Sequence, residues 1–129
     1  MLKLENIVAG YGHITALKDI SLEVPQGSIV SLIGANGAGK STTMKTIMGL
    51  VKPTSGKVLF EGQDITGHKT HQIVHNGISL VPEGRQILQD MSVYENLEMG
   101  AYIRNDNEIE ADIKKVFKRF PILDERSYQ

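Results

Sequence analysis

The chain contains no cysteine and no tryptophan, four prolines, and an aromatic content of only 5%. Without cysteine, disulfides and thiolate metal sites are excluded, a usage that fits a reducing cytoplasm. The formal net charge is −1, with 14 basic against 15 acidic residues, so the electrostatic footprint of a nucleic-acid binder is missing. No apolar run approaches the roughly 20 residues that a membrane-spanning helix needs. The first residues, Met1-Leu2-Lys3-Leu4-Glu5-Asn6, do not form the uninterrupted apolar core of a signal peptide. Direct membrane insertion is therefore not expected, and any tie to a membrane would run through a partner. What remains is 129 residues with 40% hydrophobic content, the profile of an ordinary globular chain able to bury a sizeable core.

Against these absences stands one dense motif. Residues 34–41 read Gly34-Ala35-Asn36-Gly37-Ala38-Gly39-Lys40-Ser41, a complete G-x-x-x-x-G-K-[ST] phosphate-binding loop. The glycines let successive backbone N–H groups curl inward around an anion. Lys40 offers a compact positive charge for the β- and γ-phosphates, and the Ser41 hydroxyl can ligate Mg²⁺. The alternative is a chance glycine-rich turn, a coincidence expected on the order of once in a few hundred chains of this length when glycine is about 7% of residues. The flanks argue against chance. Gly27–Ile33 is a short apolar run that reads as a buried strand, and Lys40–Met48 reads as a helix ended by Gly49, so the phosphates would sit at a helix N-terminus.

Elsewhere, Leu2–Val8 reads as a strand closed by the turn Gly10-Tyr11-Gly12, and Leu17–Val24 as a half-exposed strand whose alternation slips once. Lys57–Phe60 is a further strand, followed by the turn Glu61-Gly62-Gln63-Asp64. A short helix over 68–76 precedes a buried strand, Ile78–Val81, stopped by Pro82. Beyond this point the pattern becomes helical. Ser92 is placed to cap a helix carrying Val93, Leu97 and Ala101; Asp106 is placed to cap another carrying Ile109, Ile113, Val116, Phe117 and Phe120 up to Pro121.

Taken in order, these motifs resemble the ATP-binding subunits of ABC transporters. Tyr11 in Ala9-Gly10-Tyr11-Gly12 matches the aromatic loop that stacks on adenine, 34–42 the phosphate loop, Val81-Pro82-Glu83 the loop that usually bears glutamine, and Ser92-Val93-Tyr94-Glu95-Asn96-Leu97 the start of the helical subdomain. Val81-Pro82-Glu83-Gly84-Arg85 and Glu95-Asn96-Leu97-Glu98-Met99-Gly100-Ala101 narrow the likeness to the ATPases of branched-chain amino-acid importers, in which Glu replaces Gln at the position of Glu83. The resemblance implies an α/β P-loop NTPase core with an antiparallel β subdomain over 1–90, and the beginning of a helical subdomain over 91–129. It implies ATP and Mg²⁺ as cofactors, bound through Tyr11, Gly34, Asn36, Gly37, Ala38, Gly39, Lys40, Ser41 and Thr42, with Ser41 and Glu83 toward the metal. It implies as partners transmembrane permease subunits and a second, homologous or identical ATP-binding subunit, and a cytoplasmic location peripheral to the cell membrane.

The family's L-S-G-G-Q signature segment, its strand ending in Asp-Glu and its switch histidine are absent from the 129 residues, which correspond to the N-terminal half of such a subunit. No residue is accordingly assigned to catalysis, and the chain alone is expected to hydrolyse ATP slowly or not at all, although the full-length parent would be an ATPase. In the family, later strands lie inside the central sheet, so aggregation or exchange between copies is an expected hazard of this portion. A non-hydrolysing nucleotide-binding or interaction module is the alternative reading. Another P-loop enzyme is disfavoured, because neither an N-K-x-D segment nor an arginine-rich lid is present. Glu83 reads either as a metal-site acid or as an exposed loop acid, and Arg85 as its partner or a contact to another chain. His68, His71 and His75, at i, i+3 and i+7, read as a solvated helix face in preference to a metal site. Met44, Met48, Met91 and Met99 read as core or interface filler.

Overall fold

The first strand cannot keep a strict period of two. Its buried residues Leu4 and Ile7 are three apart, so one residue between them must be accommodated out of the ladder. In the computed structural model, which describes residues 1–34, 37, 39–84 and 86–129, β1 (Leu2–Tyr11) pairs antiparallel with β2 (Ile14–Val24) through three irregularities. Leu4 opposes Leu22 and Ile7 opposes Ile20, an extra residue on β1; Ala9 then opposes Leu17 and Gly10 opposes Thr15, each step with an extra residue on β2. Asn6 (φ 51°) and Asp19 (φ 58°) take the left-handed conformation here, as short polar side chains tolerate. Asn6 Nδ2 donates to Asp19 Oδ1 at 2.8 Å and Asn6 N donates to Ser21 Oγ at 2.9 Å, pinning the irregular stretch across the two strands. The slip in the alternation of the second strand is this local insertion.

β3 (Ser55–Phe60) pairs with the other edge of β1, and β4 (Gln63–Asp64) with β3, for a sheet order β2-β1-β3-β4, antiparallel throughout. The β3–β4 connection is the two-residue turn Glu61-Gly62, both residues with positive φ, a geometry that matches strand twist. Gln63 and Asp64, expected inside the turn, thus belong to a strand. One sheet face carries Leu4, Ile7, Leu17 and Val58, each at most 2% exposed, and packs with Ile47 and Met48 from helix α1 (Lys40–Ile47) and its cap. Helix α2 (Thr70–His75) adds Ile73, fully buried, and Thr70 Oγ1 donates to the Met48 carbonyl at 2.8 Å.

Two expected strands do not form. Gly27–Ile33 and Ile78–Val81 have no strand partner among the described residues; Ile29, Ile33 and Val81 are all more than nine-tenths exposed. The physical reason is that an apolar run becomes a buried strand only between neighbouring strands, and these runs pair with no strand of the antiparallel sheet β2-β1-β3-β4. Ile78 instead packs beside the core. The turn before the first run does form, with Ser28 N and Ser28 Oγ both donating to the Pro25 carbonyl.

The chain divides into two compact units, Met1–Leu80 and Val81–Gln129. The second unit is helical: α3 (Val93–Gly100), α4 (Ile109–Arg119) and α5 (Pro121–Glu125). Ser92 caps α3 as expected, its hydroxyl accepting from Glu95 N while the Glu95 carboxylate accepts from Ser92 N, a capping box. The Asn96 amide bonds to both the N–H and the carbonyl of Leu88, tying the preceding loop to α3. Asp106 does not occupy the capping position of α4, which falls to Glu108. The Asp106 carboxylate accepts from Glu108 N two residues on and from the Arg104 guanidinium, and Arg104 also pairs with Asp112 at 2.8 Å. Bonding to the next-but-one N–H is the ordinary competing geometry of aspartate, and it moves the helix start two residues along. Pro121 does not merely stop α4 but opens α5 at its first position, where its missing N–H costs nothing. Ile113 is the buried residue of α4, while Phe120 is 53% exposed and falls off the expected face.

Two measurements check these assignments. Gly56 combines φ 89° with a backbone so close that a Cβ would lie 2.4 Å from the Asn6 carbonyl oxygen, whereas a Cβ at Gly62 (φ 80°) meets nothing. Thermal melts of Gly62→Ala should show a loss of about 1 kcal/mol, and Gly56→Ala at least about twice that. The Arg104 hydrogen bond, and then the Glu108 N–H, hold the Asp106 carboxyl below the usual carboxylate range. A depressed carboxylate contributes its stability above its unfolded pKa of about 4 and loses it as pH falls through the folded value. Helical circular dichroism recorded from pH 5 to pH 2 should therefore decline less steeply in Asp106→Asn than in the parent chain.

Candidate functional site: the phosphate loop

Gly39 sets up the site. It takes φ 96°, the left-handed conformation, at the N-cap of α1, and its carbonyl accepts from both Thr43 N and Thr43 Oγ1 at 2.8 Å. A Cβ on Gly39 would lie 2.7 Å from Leu17 Cδ2 and 3.2 Å from the Ala16 carbonyl oxygen, so the loop lies directly against β2. Gly37 is likewise left-handed at φ 85°. The chain thereby turns from the loop into the helix with the first N–H groups of α1 facing outward, a concentration of partial positive charge.

Around this turn lies an open pocket of about 240 Å³ lined by Ala16, Gly37, Gly39, Lys40, Ser41 and Thr42. The Lys40 ammonium folds across the loop and donates to the Gly34 carbonyl, which keeps the cation over the pocket. Ser41 is exposed and Thr42 is buried. The Thr43 and Thr46 hydroxyls are committed to carbonyls one turn back, Gly39 and Thr42. One ammonium, the Ser41 and Thr42 hydroxyls and a helix N-terminus form the donor set that a magnesium-bound polyphosphate requires. The residues present fit that group.

Tyr11 ends β1 at the two-residue turn Gly12-His13, 47% exposed. The hairpin is tightest just before it, where a Cβ on Gly10 would sit 1.9 Å from the Ile14 carbonyl oxygen, so only glycine fits. The Tyr11 ring does not line the phosphate pocket; the same hairpin contributes Ala16 to it, and the Lys45 ammonium of α1 lies 6.0 Å from the ring centroid. Glu83 belongs to the second unit, exposed in a turn with Gly84. Asn36, Ala38 and Arg85 lie outside the described residues. Sequence reasoning missed Ala16, whose one signal was a small residue placed beside Leu17 where the strand's alternation slips. A larger cavity of about 450 Å³ in the second unit, lined in part by Tyr94, Glu110, Lys114 and Phe117, mixes both charge signs and converges on no comparable donor set.

The ABC transporter family matches residues 17–128. The chain belongs to that family. The high-affinity branched-chain amino acid transport ATP-binding protein BraG of Pseudomonas aeruginosa is 41% identical over all of this chain, which covers 55% of BraG. A probable branched-chain amino acid transport ATP-binding protein, LivG of Methanocaldococcus jannaschii, is 40% identical over 78% of this chain and 39% of its own length. Among solved structures, the ATP-binding cassette MJ1267 of an ABC transporter superposes with a TM-score of 0.80 at 33% identity, over 99% of this chain and 56% of that one. An ATP-binding subunit of an ABC transporter gives 0.82 at 28% identity, over 98% and 53%. The fold is thus that of the ABC cassette, and the chain spans about half the length of the curated relatives it matches.

Gly39 approaches β2 closely, whereas a Cβ at Gly37 would meet nothing. Gly39→Ala is expected to destabilise the first unit by about 1–2 kcal/mol in thermal melts. Its calorimetric affinity for inorganic tripolyphosphate should fall as well, since the strain sits at the pocket wall.

Proposed function

We propose that this chain forms the nucleotide-binding portion of an ABC importer's ATP-binding subunit, and that it binds Mg-ATP to energise the uptake of branched-chain amino acids. The observation that carries the reading is the polar pocket built by Gly39, Lys40, Ser41 and Thr42 at the start of α1, in a chain similar along its whole length to BraG. Lys40 neutralises the β- and γ-phosphates, Gly34, Asn36, Gly37, Ala38 and Gly39 wrap them with backbone N–H groups, and Thr42 adds a hydroxyl on the α-phosphate side. Ser41 would offer its hydroxyl to Mg²⁺, whose charge would help to neutralise the phosphates. Tyr11 offers its exposed ring face to the purine, an interaction that orients the base with little discrimination between bases.

The whole subunit acts beside a second ATP-binding subunit and on transmembrane permease subunits. Its place is the cytoplasmic side of the membrane, held there by the permease. No helix among the described residues is long and apolar enough to cross a membrane. The chemistry assigned to these 129 residues is binding and electrostatic preparation of ATP.

Isothermal titration of the full chain with Mg-ATP tests the reading. Lys40→Ala should weaken binding at least about tenfold, as expected for losing a hydrogen bond to a charged group. Ser41→Ala should make the affinity insensitive to chelation of Mg²⁺ by EDTA, whereas the parent chain loses affinity when the metal is removed. Mg-ATP affinity unchanged by Lys40→Ala would refute the assignment.

A further inference from the structure

Helix α1 carries a second lysine, on a different side of the helix from Lys40. Lys45 lies five residues after Lys40, about 7.5 Å further along the helix and turned by about 140° around it. Its ammonium stands 6.0 Å from the centroid of the Tyr11 ring, at the outer limit of cation–π range, and the side chain is exposed. The two residues come from elements remote in sequence, the end of β1 and the last turn of α1. The hairpin beneath Tyr11 is anchored at Gly10, where no side chain is tolerated, so the backbone of Tyr11 has little freedom; the half-exposed ring is the adjustable part.

We propose that Lys45 is a positioning residue for the nucleotide base: its ammonium holds one face of the Tyr11 ring and leaves the opposite face for the adenine. This rests on the reading of Tyr11 as the base-stacking residue. A cation over one ring face restricts the rotation that an exposed tyrosine otherwise loses on stacking. It also draws π-density toward itself, which favours an electron-rich purine on the other face. Because Lys40 and Lys45 share one rigid helix, the phosphate site and the base site are held at a set distance, and a ligand must span both to gain from both. Lys45 is thus assigned a role toward the base and none toward the phosphates.

The test is a calorimetric comparison of Mg-ATP with inorganic tripolyphosphate, which has phosphates and no base, on the full chain. Lys45→Met keeps the apolar stem and removes the charge; as an exposed change it should leave the thermal melt unaltered. It is expected to weaken Mg-ATP binding about two- to fivefold and leave tripolyphosphate binding unchanged, with Lys45→Arg restoring the ATP affinity. In a Tyr11→Leu background, Lys45→Met should have no further effect on ATP. Equal losses for ATP and tripolyphosphate would overturn the proposal in favour of a general charge effect. ATP affinity insensitive to Lys45→Met but lowered by Tyr11→Leu would overturn the role of Lys45 while leaving the base-stacking reading intact. If Tyr11→Leu itself leaves ATP affinity unchanged, the stacking reading fails, and the role of Lys45 with it.

Discussion

Leu17 is where the sheet and the phosphate loop meet. It is 2% exposed, sits in the face of β2 that covers the core, and places its Cδ2 against the one loop glycine that enters helix α1. Removing water from Leu17 and its neighbours Leu4, Ile7 and Val58 is what holds α1 on the sheet, each such side chain contributing on the order of 1.5–3 kcal/mol when fully buried. The pocket is a by-product of that packing. The loop has to pass close enough to β2 that only a left-handed glycine fits, and this same turn opens the helix at the pocket. Core packing and the wall of the pocket therefore meet at one contact.

The sheet reaches that arrangement through three irregularities in the β1–β2 register. An uninterrupted β1–β2 ladder would carry Leu4 and Ile7 to opposite faces, because they are three residues apart. The insertion at Asn6 restores Ile7 to the buried face, and the later insertion on β2 brings Leu17 opposite Ala9. The left-handed backbone at Asn6 and Asp19 is offset by the hydrogen bond between their side chains. The bulged region also precedes the tight end of the hairpin, beyond which Ala16 lines the pocket at the start of α1.

The second unit is held differently. Among its described residues only Ile113 is buried, and its order comes from polar termini: the Ser92–Glu95 capping box, the Asn96 amide on the loop at Leu88, and the Arg104 pairs with Asp106 and Asp112. The N–H groups of Val93 and Tyr94 at the start of α3 are met by the carbonyls of Gln129 and Ser127. Tyr94 packs its ring 6.2 Å from that of Phe117, and burial, followed by the nearby Glu110, pushes its hydroxyl above the usual tyrosine range. Such a unit depends on hydrogen bonds that water can compete for, in contrast to the oily core of the first.

Local chemistry alone determined much of this protein. The phosphate loop at 34–41, the helix it opens, the Ser92 cap and the antiparallel strands were legible because each depends on residues within a few positions of one another: glycines for left-handed turns, a hydroxyl three residues from a glutamate, alternation along a strand. The resemblance to ABC ATP-binding subunits rested on the same short motifs. Only the tertiary structure decided the rest. The apolar runs Gly27–Ile33 and Ile78–Val81 looked like strands, yet a strand is defined by its neighbours, and a sequence pattern does not say whether a partner edge is there to receive it. Asp106 had two chemically equivalent ways to use its carboxylate, and the nearby Arg104 accompanied the one that left the cap to Glu108. Ala16 and Lys45 carry no motif; they acquire a place beside the loop and the Tyr11 ring because packing of α1 on β1 and β2 brings together side chains that are distant along the chain.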